Sequence, residues 1–502
     1  MAKILWRIAS LIPLASSLAT LASAKVPLVD AVQAQDSVFA AKLIEQKANV
    51  NAAEPDGTTA LHWAAHHRDS GMVDRLLKAG ANPKVVNQYG ASPLTEAAAS
   101  GSTAILDRLL KAGADANSAN EDGETALMIL ARAGNVEAVR VLIQHGANVN
   151  AKEKFRGQTA LIRAAAQGQT AVMQELVTHG AEVNAQSQVN DWERQVTGEP
   201  RAVYRPAGGL TALLYSAREG CVECVKILAA AHADLNMPDP EGVTPLIVAV
   251  TNGHFDTAAL LLESGADPNR WDWWGRTPLY EAVDLNTLPH GGRPDRPSLD
   301  TVTNLEMIAR LLKAGANPNA QLKLLPPFRN IGADRGLDTM LSIGTTPLIR
   351  AAKAFDAAAI ELLLKAGADP NLPNAQDITP TMAAAGLGSV DADTRGWFTT
   401  EDTQQRSIAA LKLLLDAGGE INAKGGRRGQ TPLHGAAFWG WNDVVKYLVD
   451  RGAKLDAKDA QGKTVVDAAL GKAGGNSRGG QRIDVHPDTA KLLESLGARP
   501  TP

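Results

Sequence analysis

Two groupings in this 502-residue sequence have the spacing that chemistry requires. His62, His66 and His67 crowd one segment, and the step from His62 to His66 puts two imidazoles on one helical face, as a pair of metal ligands would need. No third convergent ligand can be identified, and no Glu follows His62 in the His-Glu-x-x-His manner. Structural or partner-contact roles are therefore expected rather than a metal site. Cys221 and Cys224 are the only cysteines and stand as Cys-Val-Glu-Cys at the start of an expected helix. In an oxidising compartment such a pair can form a disulfide, and a helix N-terminus lowers a thiol's pKa. The strand that leads into a redox motif of this spacing is missing, which favours a structural pair or packed thiols. No Gly-x-Ser-x-Gly elbow, phosphate loop or dinucleotide fingerprint lies between a strand and a helix, and acids such as Asp267 and Asp272 read as solvated loop residues. No catalytic residue and no cofactor are expected.

The aromatic residues carry a chemistry of contact. Trp271, Trp273 and Trp274 stand together in RWDWWGR, with Arg276 beside them. Exposed tryptophan offers a large area and one donor at low entropic cost, which makes it the residue most enriched at binding hot spots. The alternative is that these rings fold over a neighbouring long loop.

The elements that must position these residues come from a repeat. Hydrophobic residues make up 45% of the chain and aromatics only 4%, so small aliphatic side chains supply the burial, as where helices stack closely. The length exceeds one ordinary core, and a formal charge of -4 gives no basic field for a nucleic-acid backbone. A pattern Gly-x-Thr-Pro/Ala-Leu recurs with its threonine or equivalent at Thr59, Ser92, Thr125, Thr159, Thr211, Thr244, Thr277, Thr346, Thr379, Thr431 and Thr464. Seven of the ten steps are 33 or 34 residues, and the other three exceed the period by 19, 36 and 19. One period before Thr59 lies Val26, and VPLVDAV reads as a degenerate first repeat, which makes about twelve. Within Gly57 to Pro83, LHWAAHH and GMVDRLLKAG read as two helices. Val73, Leu76 and Leu77 fall on one face of the second, and Gly80 stops it. Neither helix can bury its face alone, so stacking makes the core.

Segments such as Gly429–Gly462 and Gly242–Asn269 resemble the ankyrin repeat family, and the likeness covers nearly all of the chain after residue 24. It implies an all-α solenoid of about twelve helix-turn-helix repeats joined by finger loops, with fingers and first helices lining a concave face that binds a partner. His62 then occupies the family's Thr-Pro-Leu-His position and makes a structural hydrogen bond. Trp63, Tyr215, Phe438 and Trp439 lie on or just after first helices, and Tyr89 and Phe155 lie in fingers on the same side. Arg156 and Arg276 stand beside aromatic neighbours, the usual composition of an interface centre. Trp63 reads equally well as core.

Residues 1–24 carry Lys3 and Arg7, an apolar run from Ile8 to Leu21 and a closing Ala22-Ser23-Ala24, which reads as a cleaved secretory signal before an array at 25–502. A periplasmic or secreted location without stable membrane insertion follows as the expectation. The degenerate repeat spans about 26–58. Insertions fall near 187–209 and 322–343 in fingers, near 287–303 and 386–403 between paired helices, and near 471–483 in the last repeat before a closing helix from Pro487 to Leu496. Tolerant surface variation and binding function account for such loops equally well. The leading expectation is an exported scaffold or adaptor that binds a protein or peptide. A carbohydrate or cell-wall ligand stacked on the tryptophans is the alternative, and a hydrolase with its site in the insertions is a third class.

Overall fold

The computed structural model describes residues 26–190, 207–287, 300–324, 343–387, 400–472 and 485–501. The segment read as a signal and most of each expected insertion lie outside them. The described residues form 24 helices in twelve pairs, with one antiparallel strand pair, Val189–Asn190 against Ala207–Gly208, where the first extended finger begins. No helix among them is long and apolar enough to cross a membrane. Two compact units divide the chain. One takes in residues as far as Leu130 together with Arg140–Asn148, and the other takes in Ala131–Val139 and everything from Val149 onward.

The repeat from Thr59 illustrates why the sequence folds this way. Thr59 has extended backbone, and a capping box ties its hydroxyl and amide to His62 at the third helical position. The helix Ala60–His66 then buries Leu61, His62, Ala64 and Ala65, small enough for close stacking. After a tight turn Asp69 caps the second helix, Ser70–Lys78, by accepting from the Met72 amide at 2.8 Å. Met72, Val73 and Leu76 are buried, whereas Leu77 is only half-buried, so the inner face sits one residue nearer the N-terminus than expected. Gly80, at φ +89°, ends the helix in the left-handed region that glycine adopts freely.

Two hydrogen-bond devices join successive repeats. An asparagine in most fingers reaches across to the next repeat, as where Asn371 Nδ2 donates to the Gly418 carbonyl (3.0 Å) while its Oδ1 accepts from the Glu420 amide (2.8 Å). The same clamp occurs at Asn51, Asn117, Asn150, Asn269, Asn319 and Asn422. Finger tips are also laced by backbone, as in Gln88 N–H to Asp56, Gln188 to Arg156, Trp273 to Glu241 and Ala460 to Arg428. These tips are thereby fixed by their neighbours.

Departures from the regular repeat follow sequence. Val26 stands where other repeats have threonine or serine, and no side-chain hydrogen bond caps the helix Pro27–Gln33. The second helix after Thr379 runs Thr400–Asp416, 17 residues, so the end of the expected 386–403 insertion is helical rather than loop. Thr403 and Ser407 on this helix are buried, and Ser407 Oγ donates to the Ala384 carbonyl at 2.7 Å.

Candidate functional site

The tip of the tryptophan finger is a β-turn, in which the Gly275 amide donates to the Asp272 carbonyl at 2.8 Å, and its side chains diverge to two sides. Trp271 and Trp273 are 50% and 42% exposed, while Asp272 and Trp274 point inward and Trp274 is 9% exposed. The carboxylate of Asp272 organises the tip, its Oδ1 accepting from the amides of Trp274 (3.0 Å) and Arg276 (2.9 Å). Arg276 is buried too. Its guanidinium pairs with Asp272 (2.6 Å) and Glu281 (3.1 Å) and lies 4.8 Å from the Trp274 ring centroid. Two of the expected contact residues, Trp274 and Arg276, are therefore support beneath the tip rather than surface. Asp272 is a buried ion-pair partner, not a solvated loop residue, whereas Asp267 keeps a half-exposed carboxylate. The tip is tied on both sides, by the Trp273 amide to the Glu241 carbonyl (2.7 Å) and by the Lys323 amide to the Trp274 carbonyl (2.8 Å). The Lys323 ammonium sits 3.0 Å from the centroid of Trp271, a cation–π contact on one face of that ring. Two indoles are thus held at the surface on a fixed backbone.

The other aromatic candidates divide. Phe155 is 74% exposed on its finger, with the Arg156 guanidinium 5.8 Å from its ring, and Tyr89 is likewise exposed on its own. Beneath Phe155, burial pushes the Glu153 carboxyl up, but amide donors from Arg156, Gln158 and Phe155 outweigh it and hold the group below its ordinary value. Tyr215 is half-buried, accepts from Gln158 Nε2 at 3.0 Å and carries Arg218 at 4.7 Å over its ring. Phe438 and Trp439 are half-buried in an aromatic stack. Trp439 lies 6.2 Å from the buried Trp441, which meets Phe355 edge-on, and Trp439 Nε1 donates to the Gly386 carbonyl at 2.8 Å. Much of their ring surface is spent on this packing, so they form no open aromatic floor.

In the unit that ends at Leu130 with Arg140–Asn148, Trp63 is half-buried, stacks on His67 at 5.7 Å and donates from Nε1 to Glu54 at 3.2 Å. His66 is exposed and its Nδ1 lies 2.9 Å from Glu96, while His67 Nε2 meets the Gln33 carbonyl at 3.1 Å. His62 points the other way, its Nε2 on the Ala91 carbonyl at 3.0 Å. Among the described residues no group of three or more His, Cys, Asp or Glu could hold a metal. Cys221 and Cys224 are joined as a disulfide.

A set of buried charges was not anticipated. Four and seven residues after the capping threonine, the helix Pro278–Thr287 carries Glu281 and Asp284, and the next first helix, Pro347–Lys353, carries Arg350 and Lys353. Arg350 Nε donates to Asp284 at 2.6 Å, and Thr251 Oγ1 donates to Glu281 at 3.1 Å. The same two positions hold Trp63 and His66, and Tyr215 and Arg218, in other repeats. Aligning the repeats column by column would have exposed this acidic pair beside a basic one.

Comparison with known proteins agrees with this architecture. The family model described as ankyrin repeats (3 copies) matches residues 28–120, 94–187, 196–272, 213–321 and 403–500, and the single ankyrin repeat model matches 343–375. E3 ubiquitin-protein ligase hecd-1 of Caenorhabditis elegans is 35% identical over 127 residues, 24% of this chain and 4% of that protein. Ankyrin repeat and SOCS box protein 18 of Homo sapiens is 32% identical over 90 residues, 18% of each chain. The chain thus spans under a fifth of the length of these relatives. The crystal structure of the human ASB11 ankyrin repeat domain is similar with a TM-score of 0.40 and 24% identity, covering 49% of this chain and 100% of that one. With family models matching well over half of its length, the chain belongs to the ankyrin repeat family.

Proposed function

We propose that this protein binds a protein or peptide through finger tips and first helices of the unit from Val149 onward, with Trp271 and Trp273 as anchors. Ankyrin repeats are in general protein–protein interaction modules, and their fold is typically a non-enzymatic scaffold. The observation that carries the reading is two half-exposed indoles on a tip whose backbone is fixed from both sides. A pre-organised anchor loses little entropy on binding, so more of its contact energy becomes affinity. Lys323 already occupies one face of Trp271, which works against sugar stacking there and favours a partner that brings acidic or carbonyl groups to that ammonium. The adaptor is read as exported, on the strength of Lys3, Arg7, the apolar run and Ala22-Ser23-Ala24.

The test is capture from cells that express the protein naturally, comparing the full chain with a Trp271→Ala, Trp273→Ala double variant. A stoichiometric protein should be retained by the former and reduced about tenfold or more with the latter, on the hot-spot scale. Equal capture by both, or retention on glycan columns with no protein partner, would refute the reading. Export is tested separately by fusing residues 1–25 to a reporter, which should leave the cytoplasm and lose the leader. An uncleaved leader would contradict it.

A further inference from the structure

We propose that Cys221 and Cys224 are a redox-active pair that exchanges with dithiols and disulfides of other molecules, with Cys221 as the exchanging sulfur. The cross-link is not needed to build the turn it spans. Cys221 is the N-cap of the helix Val222–Ala230, and its Sγ accepts from the Cys224 amide at 3.3 Å. Other repeats hold this turn without a covalent bond, where Asp36, Asp69 and Asp356 accept from the amides of Phe39, Met72 and Ala359 at 2.9, 2.8 and 3.1 Å. A bond between residues only three apart also closes a very short loop, and short loops restrict the unfolded chain least.

Those three aspartates say more. Three of the second helices seat a carboxylate at this position, against the free amides and dipole of the helix start. Once the disulfide is reduced, the Cys221 sulfur takes the place of the carboxylate, and the same donors favour its thiolate. The facing groups do not reverse this. Glu223 is paired with Lys226 at 3.1 Å, Arg218 with Glu219 at 3.0 Å, and the His254 ring packs against Gly220, where a Cβ would fall 2.5 Å from its Nδ1. On the preceding repeat a Cβ at Gly168 would stand 4.0 Å from Cys221 Sγ, so a glycine and not a side chain borders the sulfur there. Exposure then assigns the roles. Cys221 is half-buried and keeps some contact with solvent, whereas Cys224 is 0% exposed. Outside attack falls on Cys221 and Cys224 resolves. The preceding strand of a redox motif is not needed, because the helix start supplies the same donors.

In the reductive direction a thiolate of an external dithiol attacks Cys221 Sγ. The Sγ–Sγ bond breaks, and Cys224 leaves with the electron pair and is protonated. The second thiol of the reductant, deprotonated, attacks its partner sulfur in the mixed disulfide and releases Cys221 as thiolate. Two electrons pass to the pair and the dithiol becomes a disulfide. The reverse sequence reduces a disulfide substrate.

The test equilibrates the full chain with dithiothreitol and with glutathione buffers and reads thiols by alkylation and peptide mass. Reduction should be reversible with unchanged helical dichroism and a thermal midpoint within a few degrees. In the Cys224→Ser variant, Cys221 alkylation should titrate well below the ordinary thiol value of about 8.5 and, at neutral pH, run about tenfold or more faster than glutathione. Should that variant fail to fold, the reduced wild-type chain given one equivalent of reagent should carry it on Cys221. Unfolding on reduction, a Cys221 thiol titrating at or above 8.5, or labelling that falls equally on Cys224 would each overturn the proposal.

Discussion

His62 and His434 hold equivalent places in two repeats and show how one residue serves both capping and stitching. Each Nδ1 accepts from the amide of its capping threonine, at 3.1 and 3.2 Å, so the proton sits on Nε2 and points at a carbonyl of the next repeat, Ala91 or Lys463. Burial lowers the pKa of both below the ordinary 6.5, because a charged ring would lose its water and Nδ1 would lose its role as acceptor. Between those lowered values and 6.5 the unfolded chain binds protons that the folded chain refuses. This contribution to stability is therefore complete above pH 6.5 and is lost as pH falls through it. A His62→Gln, His434→Gln variant keeps a side chain able to complete the capping box but has nothing to titrate. Its urea midpoint should fall less between pH 7.5 and 5.5 than that of the wild type, and an equal or larger fall would refute the assignment. The tryptophans separate in the same manner. Trp274→Ala should cost about 3–5 kcal/mol, as for a buried aromatic ring, whereas Trp271→Ala with Trp273→Ala should leave the thermal midpoint nearly unchanged. The cluster itself was legible in sequence. Its division was not, because that depends on which side of the turn at Asp272–Gly275 faces the Arg276 ion pairs.

At the scale of the element, what the sequence made legible was whatever repeats. Helix starts followed from the recurring threonine, and helix ends from glycine. The asparagine clamps were available in the same way, since an Asn stands four residues after the terminating glycine at Asn117, Asn150, Asn269, Asn319, Asn371 and Asn422. Recognising them required asking where the first carbonyls and amides after each helix find partners. The start of the helix Thr400–Asp416 was hidden because it rests on one-off contacts, Ser407 to Ala384 and Gln404 to the Asp443 amide at 2.8 Å. Two substitutions test the repeated devices. Val26→Thr gives the helix Pro27–Gln33 the cap that it lacks and should stabilise it by about 0.5–2 kcal/mol, read as slower amide exchange over residues 27–33. Asn371→Ala removes two inter-repeat hydrogen bonds at a half-exposed site and should cost about 1–3 kcal/mol. Its exchange should quicken at the start of the finger following Gly418, and no change there would mean that the clamp is incidental.

For the whole molecule, stacking implies that stability is local and additive. Within each compact unit the described helices pack on their own partner and on the adjacent pairs, as Ala60–His66 does on Pro93–Ser100, so stability there should be that of repeats coupled to nearest neighbours, without one cooperative core. The long-range hydrogen bonds agree, since clamps and finger ladders run from one repeat to the next. Leu76→Ala distinguishes this from a single cooperative fold. Leu76 is fully buried in the helix Ser70–Lys78, and its truncation should cost about 2–5 kcal/mol through lost burial and the cavity left behind. In a nearest-neighbour array that cost appears as faster amide exchange in its own repeat and the flanking ones, around Ala40 and Leu109. Exchange around Val444, Val445 and Leu448 should keep its wild-type rate, because few couplings would transmit the loss that far. A uniform rise in exchange along the chain, including at Val445, would instead mean global unfolding in one step, and the additive picture would fail.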